Sequence, residues 1–527
     1  MTDAFVPLLV QAQQHFTAGR IDAAEQGLQS ILQANPDHTG ALEAMSFVWA
    51  AREDYVRASE FACRAAQPDT TTAAQLQQAA RICQLAQRHA DAVALYDRLL
   101  VLVPDHAHSL HGAAMSLVQL EQGEAALAYL MRLTRRYPDA EQVHYNLGTL
   151  LGALGRYDDE LNAYRRAIEL KPDFVAAYVN LGVALRDLHR FDDALRQFKK
   201  ALSIDVNDAG ARTNRAQTNL LLGEFEHGWR EYEWRWRDGA MSHGFPDATL
   251  WTGQPLDGKT VLVHAEQGFG DTLQFVRFIS RLAAMGANVI VRVQEPLVAL
   301  LQGIAGAASV VGPQAPLPAF DYHLPMLSLP NVLKLREPDF ANSAPYLQAD
   351  ESKFDSLSDI TGEARKLRVG VVWSGRPTHP NDRNRSMPLA ELAPLFEADA
   401  CFVSLQKDPR ESDRASVNAL VQCGRLIDTG PRLTTFAATA ALINQLDLVI
   451  TVDTAVAHLA GALGKPVWIA LPFTPDWRWQ LKRDDSPWYA ATRLFRQTRR
   501  AEWSDVVTGL RTALDAGIAA RQASSQR

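Results

Sequence analysis

The chain has 527 residues, which is too many for one hydrophobic core, so two or three domains are expected. Hydrophobic residues make up 47% of the chain, which is enough to fill those cores, and no run approaches the roughly 20 apolar residues of a membrane span. The formal net charge of −7 argues against a general nucleic-acid binder, which needs a basic surplus, and confines any anion site to a local pocket.

The cysteines and the N-terminus indicate a cellular compartment. Cys63, Cys83, Cys401 and Cys423 show neither the short spacing of a metal site nor a paired framework, which fits a reducing environment. The first residues lack the basic start and the long apolar core of a secretion signal. We therefore expect a cytoplasmic protein.

The first part of the chain repeats itself. Pro104, Pro138 and Pro172 follow one another at intervals of 34 residues, and small and bulky residues recur at matching places. This pattern resembles the tetratricopeptide repeat, in which each unit is a pair of helices. Register kept over several periods argues against a generic helical bundle, and about six units are predicted, the second of them irregular around Pro68. We predict an α-solenoid over residues 1–237 that ends in a capping helix.

The repeats predict a binding surface. A solenoid of this kind leaves a concave inner face that commonly holds an extended peptide or another protein, so a protein acceptor is expected there, and an oligomer formed through the repeats stays open. Near the end of the repeats, Trp229, Tyr232 and Trp236 fall on one helical face. That face indicates either docking against the next domain or an ordinary capping core.

Residues 238–258 are polar, contain glycine and proline, and are predicted to form a linker. Residues 253–260, GQPLDGKT, match the phosphate-loop pattern of nucleotide triphosphatases. That loop must follow a strand and open a helix, whereas this segment follows a linker and opens a strand. No triphosphatase site is predicted.

Residues 261–286 are predicted as a strand, a glycine turn and an amphipathic helix. The unpaired backbone N–H groups of such a turn favour anionic ligands. Its two glycines lack the third small residue of a dinucleotide-binding turn, so no NAD site is predicted. Asp271 stands at the helix entrance, either as a catalytic carboxylate or as an ordinary helix N-cap. The candidate substrate contacts of this turn are Gln267, Gly268, Gly270 and Thr272.

Strands and helices alternate from here on. The strands are predicted at residues 261–263, 288–293 and 309–311, and then at 367–375, 401–405, 425–428, 447–452 and 466–471. The pattern predicts two doubly wound parallel α/β domains, at residues 259–362 and 363–527, the second with a terminal helix. Ligands of such sheets bind at the carboxyl ends of the strands.

Three polar turns of the second domain each follow a predicted strand, so topology is expected to bring them together. The last of them opens a helix at Thr454, whose first-turn N–H groups could cradle a diphosphate, while His458 could add a proton or a positive charge. Plain helix capping and solvated charged loops are the alternative interpretations. The candidate contacts are Trp373, Ser374, Gly375, Arg385, Gln406, Lys407, Asp453, Thr454, Ala455 and His458.

An aromatic segment follows the last predicted core strand. Trp477, Trp479 and Trp488, with Arg478 among them, could line a base or sugar pocket or pack the crossover between domains. The packing role is favoured.

On these residues the chain from about 259 to 507 resembles the bacterial heptosyltransferase-type GT-B glycosyltransferases. Gly270-Asp271 matches the family's Gly-Asp turn, and residues 453–458 match its Asp-Thr-Gly-x-Ser-His donor motif, with Ala455 and Ala457 in place of glycine and serine. The resemblance implies two Rossmann-like domains facing one another and Asp271 as general base.

The resemblance also implies the reaction. It would be inverting, metal-independent transfer from a nucleotide-diphosphate sugar without a cofactor, and the chain contains no Asp-x-Asp triplet. The fusion to repeats is similar in architecture to O-linked N-acetylglucosamine transferase, which implies a protein hydroxyl as acceptor. Two alternatives stay open: a heptosyltransferase-like enzyme of surface glycan synthesis, and a non-catalytic repeat adaptor that senses a nucleotide sugar.

Overall fold

The structure is a computed structural model, and it describes residues 4–237, 244–245, 248–340, 344–355 and 366–525. Contacts divide the chain into two compact units, Met1–Leu185 and Arg186–Arg527. The division comes earlier than the predicted end of the solenoid at 237, so the last repeat helices belong to the unit that contains the sheets. The predicted boundary at 362–363, and residues 238–243 and 246–247 of the predicted linker, lie outside the described residues.

Fourteen α-helices occupy the described residues up to 237, and together with the parallel sheets that follow they confirm the predicted fold class of an α-solenoid followed by an α/β region. Six helix pairs correspond to the predicted repeats, and a seventh pair follows them. The helices are α1 Val6–Thr17, α2 Ile21–Ala34, α3 Thr39–Ala51, α4 Tyr55–Ala65, α5 Ala73–Leu85, α6 His89–Leu102, α7 Ala107–Gln119, α8 Gly123–Arg136, α9 Glu141–Ala153, α10 Tyr157–Leu170, α11 Val175–Asp187, α12 Phe191–Ile204, α13 Ala209–Leu221 and α14 Phe225–Tyr232.

Small residues allow the paired helices to approach closely. A Cβ added to Gly148 on α9 would lie 2.8 Å from the Tyr164 ring on α10, and one added to Gly112 on α7 would lie 2.4 Å from Tyr96 on α6. Cβ atoms do not approach other atoms so closely, so both positions require glycine at this helix spacing. The recurring small residues of the sequence therefore mark helix contacts.

Two cysteines that the sequence leaves unpaired meet inside the first unit. The Sγ atoms of Cys63 on α4 and Cys83 on α5 are 3.3 Å apart, and both are free thiols. Twenty residues separate them in sequence, and only the antiparallel packing of the two helices brings them together.

The first sheet contains four parallel strands, β1 Thr260–His264, β2 Asn288–Arg292, β3 Ala307–Val311 and β4 Tyr322–Pro325, in the order β3-β2-β1-β4. The sequence analysis did not predict β4. This edge strand has only four residues and ends in proline, which weakens the strand signal and suits an edge.

The described part of the predicted linker packs against that edge. Leu250 forms an isolated parallel bridge with His323, and the Trp251 N–H donates to the His323 carbonyl at 2.9 Å. Trp251 and Leu256 are buried in the main hydrophobic core. This segment is therefore part of the fold.

The second sheet contains six parallel strands in the order β10-β9-β8-β5-β6-β7. All six strands run in the same direction, but their order along the sheet reverses between β5 and β8, and doubly wound sheets bind ligands at this position. The last strand, β10, was not predicted. The strands are β5 Leu367–Val372, β6 Ala400–Ser404, β7 Ile427–Asp428, β8 Leu448–Val452, β9 Val467–Leu471 and β10 Thr492–Arg496.

Further helices cover these sheets. The predicted helix after the glycine turn is interrupted by a 3-10 turn at Val276–Phe278. No described helix is long and apolar enough to cross a membrane. The helices are α15 Phe269–Phe275, α16 Ile279–Ala284, α17 Glu295–Leu301, α18 Leu329–Val332, α19 Asp382–Arg385, α20 Glu411–Gln422, α21 Phe436–Asn444, α22 Ala455–Ala462 and α23 Ser504–Ser525.

Candidate active site

The polar turns at the carboxyl ends of β5, β6 and β8 meet, as the parallel topology predicts. The Ser374 N–H after β5 donates to Gln406 Oε1 after β6 at 3.2 Å. Arg385 donates from Nη1 to the Asp453 carbonyl after β8 at 3.0 Å. Lys407 follows Gln406 and is exposed. These groups form one polar edge beside the reversal point of the sheet.

Glycine allows the arginine to lie against this edge. A Cβ added to Gly375 would lie 2.6 Å from Arg385 Nη2, and the Gly375 N–H donates to Ser386 Oγ at 2.8 Å. Any larger residue at this position would displace the guanidinium. Gly375 therefore positions Arg385.

Helix α22 begins at the same edge. Thr454 is its N-cap, but its hydroxyl makes no capping bond and lies 3.1 Å from Thr451 Oγ1. The N-cap side chain therefore leaves the N–H groups of Ala455 and its neighbour with their capacity to bind an anion. Plain capping does not explain Thr454.

Two buried polar atoms at this edge have no hydrogen-bond partner among the described residues: Ser374 Oγ and Arg385 Nε. Ser374 is only 3% exposed. Buried polar groups are nearly always satisfied, so orphaned atoms at a cleft indicate a place for a ligand or ordered water. Both atoms belong to residues that the sequence analysis selected as substrate contacts.

Asp271 occupies the third position of helix α15, not its N-cap. Gly268 is the N-cap, and its N–H donates to Asp271 Oδ2 at 2.7 Å in a capping box. The other oxygen, Oδ1, accepts a hydrogen bond from Arg478 Nη2. Both carboxylate oxygens are engaged, so Asp271 does more than an isolated cap would do.

The glycine turn of the first sheet lies directly against helix α22 of the second. A Cβ added to Gly270 would lie 2.7 Å from His458 Cδ2 and 3.6 Å from Ala455 Cα. Only glycine permits this approach. The two sequence motifs, separated by about 180 residues, therefore form one site.

His458 does not have the charge that the sequence suggested. Its ring is buried, stacks on Trp479 with centroids 5.3 Å apart, and hydrogen-bonds Tyr489 Oη through Nδ1 at 2.9 Å. Burial, and secondarily the nearby Arg478, lower the pKa of His458 well below its usual value. The imidazole is neutral near pH 7 and supports the packing under Gly270.

Two other predicted contacts are internal. Thr272 is 1% exposed, and its hydroxyl donates to Gln294 Oε1 at 2.9 Å. Trp373 is fully buried in the second hydrophobic cluster, where Nε1–H donates to Asp413 Oδ2 at 3.0 Å. Their side chains point into the protein, so the prediction of substrate contact by these side chains is not supported.

Gln267 joins the glycine turn to the end of the repeats. Its side-chain amide lies 3.3 to 3.4 Å from Tyr232 Oη. Trp229 meets Trp477 edge-on with ring centroids 5.1 Å apart. Next to them Arg235 pairs with Glu266, with Nε and Oε2 2.8 Å apart. The aromatic face of α14 thus docks on the α/β region.

The tryptophans after β9 pack in the interior. Trp477, Trp479 and Trp488 are at most 4% exposed, and Trp488 stacks on Phe340 with centroids 3.9 Å apart. Packing, the favoured interpretation from the sequence, accounts for all three. The same segment also places the charged side chain of Arg478 against Asp271.

Sequence reasoning missed the groups that surround Asp271. Arg478 was noted only as one member of an aromatic segment, and Asp476 and Gln274 were not considered. Arg478 binds both of them as well as Asp271. The one available signal was a charged residue between two tryptophans, since a buried arginine requires acidic partners.

The Asp453 carboxyl is partly buried at the polar edge. Burial, and then the negative charge of Asp476, raise its pKa from 3.8 to about 6, against the opposing effect of Arg385. Its folded pKa exceeds the unfolded value, so the protein loses stability as pH rises from about 4 through about 6 and the group ionises.

We expect Asp453→Asn to raise the melting temperature at pH 8 but to change it little at pH 4. A shift of about two pKa units corresponds to at most about 3 kcal/mol of unfolding free energy. Asp485→Asn is the control with the opposite sign, because Arg483 lowers the pKa of Asp485 and its carboxylate stabilises the fold above pH 4. Thermal melts without nucleotide test both, and identical pH profiles for wild type and Asp453→Asn would contradict the raised pKa.

Comparison with known protein families places repeats and a transferase domain in the chain. Residues 111–173 and 175–208 match models of the tetratricopeptide repeat. Residues 389–476 match glycosyltransferase family 9 (heptosyltransferase). The glycosyltransferase match includes Gln406, Lys407 and residues 453–458, whereas Asp271 lies outside it.

Protein FlbA of Caulobacter vibrioides is 25% identical over 334 residues, which are 57% of this chain and 54% of FlbA. The chain thus matches about half the length of this relative.

Solved structures of tetratricopeptide repeat proteins are similar to part of the chain. YrrB, described as a TPR protein with an unusual peptide-binding site, is 20% identical and covers 35% of this chain and 95% of its own, with a TM-score of 0.30. A tetratricopeptide repeat protein from Parabacteroides merdae is 16% identical and covers 44% of this chain and 91% of its own, with a TM-score of 0.34. The family matches therefore show tetratricopeptide repeats in the N-terminal half of the chain and a glycosyltransferase family 9 (heptosyltransferase) domain near its C-terminus.

Proposed function

We propose that the chain transfers a sugar from a nucleotide-diphosphate sugar to a hydroxyl group of a protein that the repeats recruit. Transfer inverts the anomeric carbon, requires no metal ion, and takes place between two sheets in a GT-B arrangement. The family 9 match supports the class of reaction. The observation that carries the rest is the approach of the Gly270-Asp271 turn to the start of helix α22.

The chemistry follows from the groups on each side. Asp271 accepts the proton of the acceptor hydroxyl, whose oxygen attacks the anomeric carbon from the face opposite the diphosphate. The bond between that carbon and the diphosphate oxygen breaks as the new glycosidic bond forms. The leaving diphosphate gains negative charge, which the N–H groups of α22, Arg385 and Lys407 stabilise.

We assign Asp453 to the sugar and not to the diphosphate. A carboxylate repels phosphate oxygens, whereas it accepts hydrogen bonds from sugar hydroxyls. Burial, and then the neighbouring Asp476, already raise the pKa of Asp453. A diphosphate is better placed on the side of Arg385, which contacts the Asp453 backbone.

A donor screen tests the proposal. The full-length chain is incubated with radiolabelled UDP-glucose, UDP-N-acetylglucosamine, GDP-mannose and ADP-heptose, with and without a chelator, in an extract that supplies proteins. We expect release of the nucleoside diphosphate, insensitivity to the chelator, label on a polypeptide, and inverted configuration by NMR. Label on a glycan alone supports the surface-glycan alternative, which the name of the matched family favours. Binding without any transfer supports the adaptor.

Lys407→Ala should weaken donor binding by roughly tenfold, because a charge-assisted hydrogen bond to a phosphate is lost. Lys407 is exposed, so its removal should leave the melting temperature unchanged. Lys200→Ala on α12, also exposed, is the control. Calorimetry with the nucleoside diphosphate measures both, and equal affinities would place the diphosphate elsewhere.

A further inference from the structure

Arg478 connects the two sheets through the residue proposed as the base. It lies in the 3-10 turn Trp477–Trp479 after β9, and its side chain reaches helix α15 of the first sheet. Nε donates to Gln274 Oε1 at 2.7 Å, and Nη2 donates to Asp271 Oδ1. Arg478 is only 7% exposed.

Asp476 fixes the arginine from its own segment. Asp476 Oδ1 accepts from Arg478 Nη1 at 2.9 Å and from the Arg478 backbone N–H at 3.0 Å. The guanidinium also lies over the Trp477 ring, 4.1 Å from its centroid. Three fixed partners and a ring leave the planar guanidinium a single orientation.

The carboxylate of Asp271 is thereby held at both oxygens. Gly268 N–H binds Oδ2 at 2.7 Å and Arg478 binds Oδ1. Rotation of the carboxylate would break one of these bonds. The lone pairs that remain have a defined direction, which a general base requires because its reach to the acceptor proton is only about 3 Å.

We propose that Arg478 is a positioning residue that orients the Asp271 carboxylate for proton abstraction, and that Asp476 holds Arg478 in place. The inference rests on the proposed function and adds a device that couples the base to the junction of the two sheets. A purely structural ion pair between the sheets is the competing explanation. The two differ in what happens once Asp271 no longer acts as a base.

Arg478→Lys retains the charge but loses the planar fork. With the donor that the screen identifies, we expect kcat to fall about 10- to 100-fold while KM for the donor stays within about twofold, since the donor groups are untouched. Arg483→Lys is the matched control. Arg483 lies in the same segment and pairs with Asp485 at 2.7 Å, but it does not contact Asp271. It should retain wild-type kcat.

A double-mutant cycle separates the explanations. In the Asp271→Asn background, Arg478→Lys should cause no further loss of residual transfer, because the group that it orients is gone. Equal fold losses in both backgrounds would overturn the proposal. Asp476→Asn, a side chain one-third exposed, is the second variant if Arg478→Lys does not fold, and its kcat should fall in the same coupled way. An active wild type with an unimpaired Arg478→Lys refutes this inference alone, whereas an inactive wild type refutes the proposed function and this inference with it.

Discussion

Asp271→Asn should lower the rate of sugar transfer by about a hundred- to ten-thousand-fold, because it removes the proposed general base. The affinity for the nucleoside diphosphate should stay within about threefold, since the proposed phosphate contacts lie on the other sheet. Stopped assays with labelled donor measure the rate, and calorimetry measures the affinity. Wild-type turnover by the variant would refute the assignment of the base.

The same substitution should also cost stability. Each oxygen of Asp271 accepts a hydrogen bond, and an asparagine offers one oxygen and places N–H donors against Gly268 N–H or Arg478. An unsatisfied buried donor costs about 1–3 kcal/mol, so the melting temperature should fall. This cost must be measured beside the rate, because unfolded protein would mimic a lost base.

Asp339→Asn is the matched control for both effects. Asp339 also closes a capping box, accepting from Arg336 N–H at 2.8 Å, and it pairs with Arg281 Nη1 at 3.1 Å. It is exposed and belongs to no part of the site. This variant loses the same kinds of hydrogen bond, so its melting temperature should fall slightly. It should still transfer sugar at the wild-type rate.

The second large effect concerns where the repeats can be removed. A chain that begins at residue 186 should be soluble and melt cooperatively, whereas one that begins at 207 should aggregate or melt at a clearly lower temperature. The segment between these cuts carries contacts to the rest of the second unit. His189 stacks on Phe473 with ring centroids 3.9 Å apart, and the Asp187 carbonyl accepts from Thr474 Oγ1 at 3.0 Å. Phe191 packs against the main core.

Thermal melts and sedimentation of the two truncated chains check this prediction, and equal stability would show that α12 is dispensable. The chain that begins at residue 186 also tests the role of the repeats. It should bind the nucleoside diphosphate as the full chain does but should fail to label the protein acceptor. Equal labelling of the acceptor by the full chain and by the chain that begins at residue 186 would mean that the first unit does not recruit the acceptor.

The helices and most of the strands could be predicted because their signals are local. The 34-residue spacing of prolines, the alternation of small and bulky residues, and short apolar runs each belong to one element. The strands that were missed have weak local signals. β4 has four residues and a proline, and β10, TRLFR, has adjacent Leu494 and Phe495 between two arginines, so it lacks the alternation that marks a half-buried strand.

The convergence of the polar turns after β5, β6 and β8 was also predictable, since it follows from parallel topology and requires no side-chain geometry. Side-chain direction was not predictable in the same way. Ser374 and Trp373 are adjacent, yet Ser374 lies at the polar edge and Trp373 in the core, because successive residues of an extended chain point to opposite faces.

The sequence by itself therefore determined the class of each half, repeats and then parallel sheets, and the turns on which a site could form, because periodicity and strand-turn-helix order depend on neighbouring residues. Only the tertiary structure decided that Asp271 is held by an arginine 207 residues further along the chain, that His458 is neutral, and that Gly270 is needed for contact with α22. These properties arise from burial and from contacts between distant segments, for which local pattern carries no information.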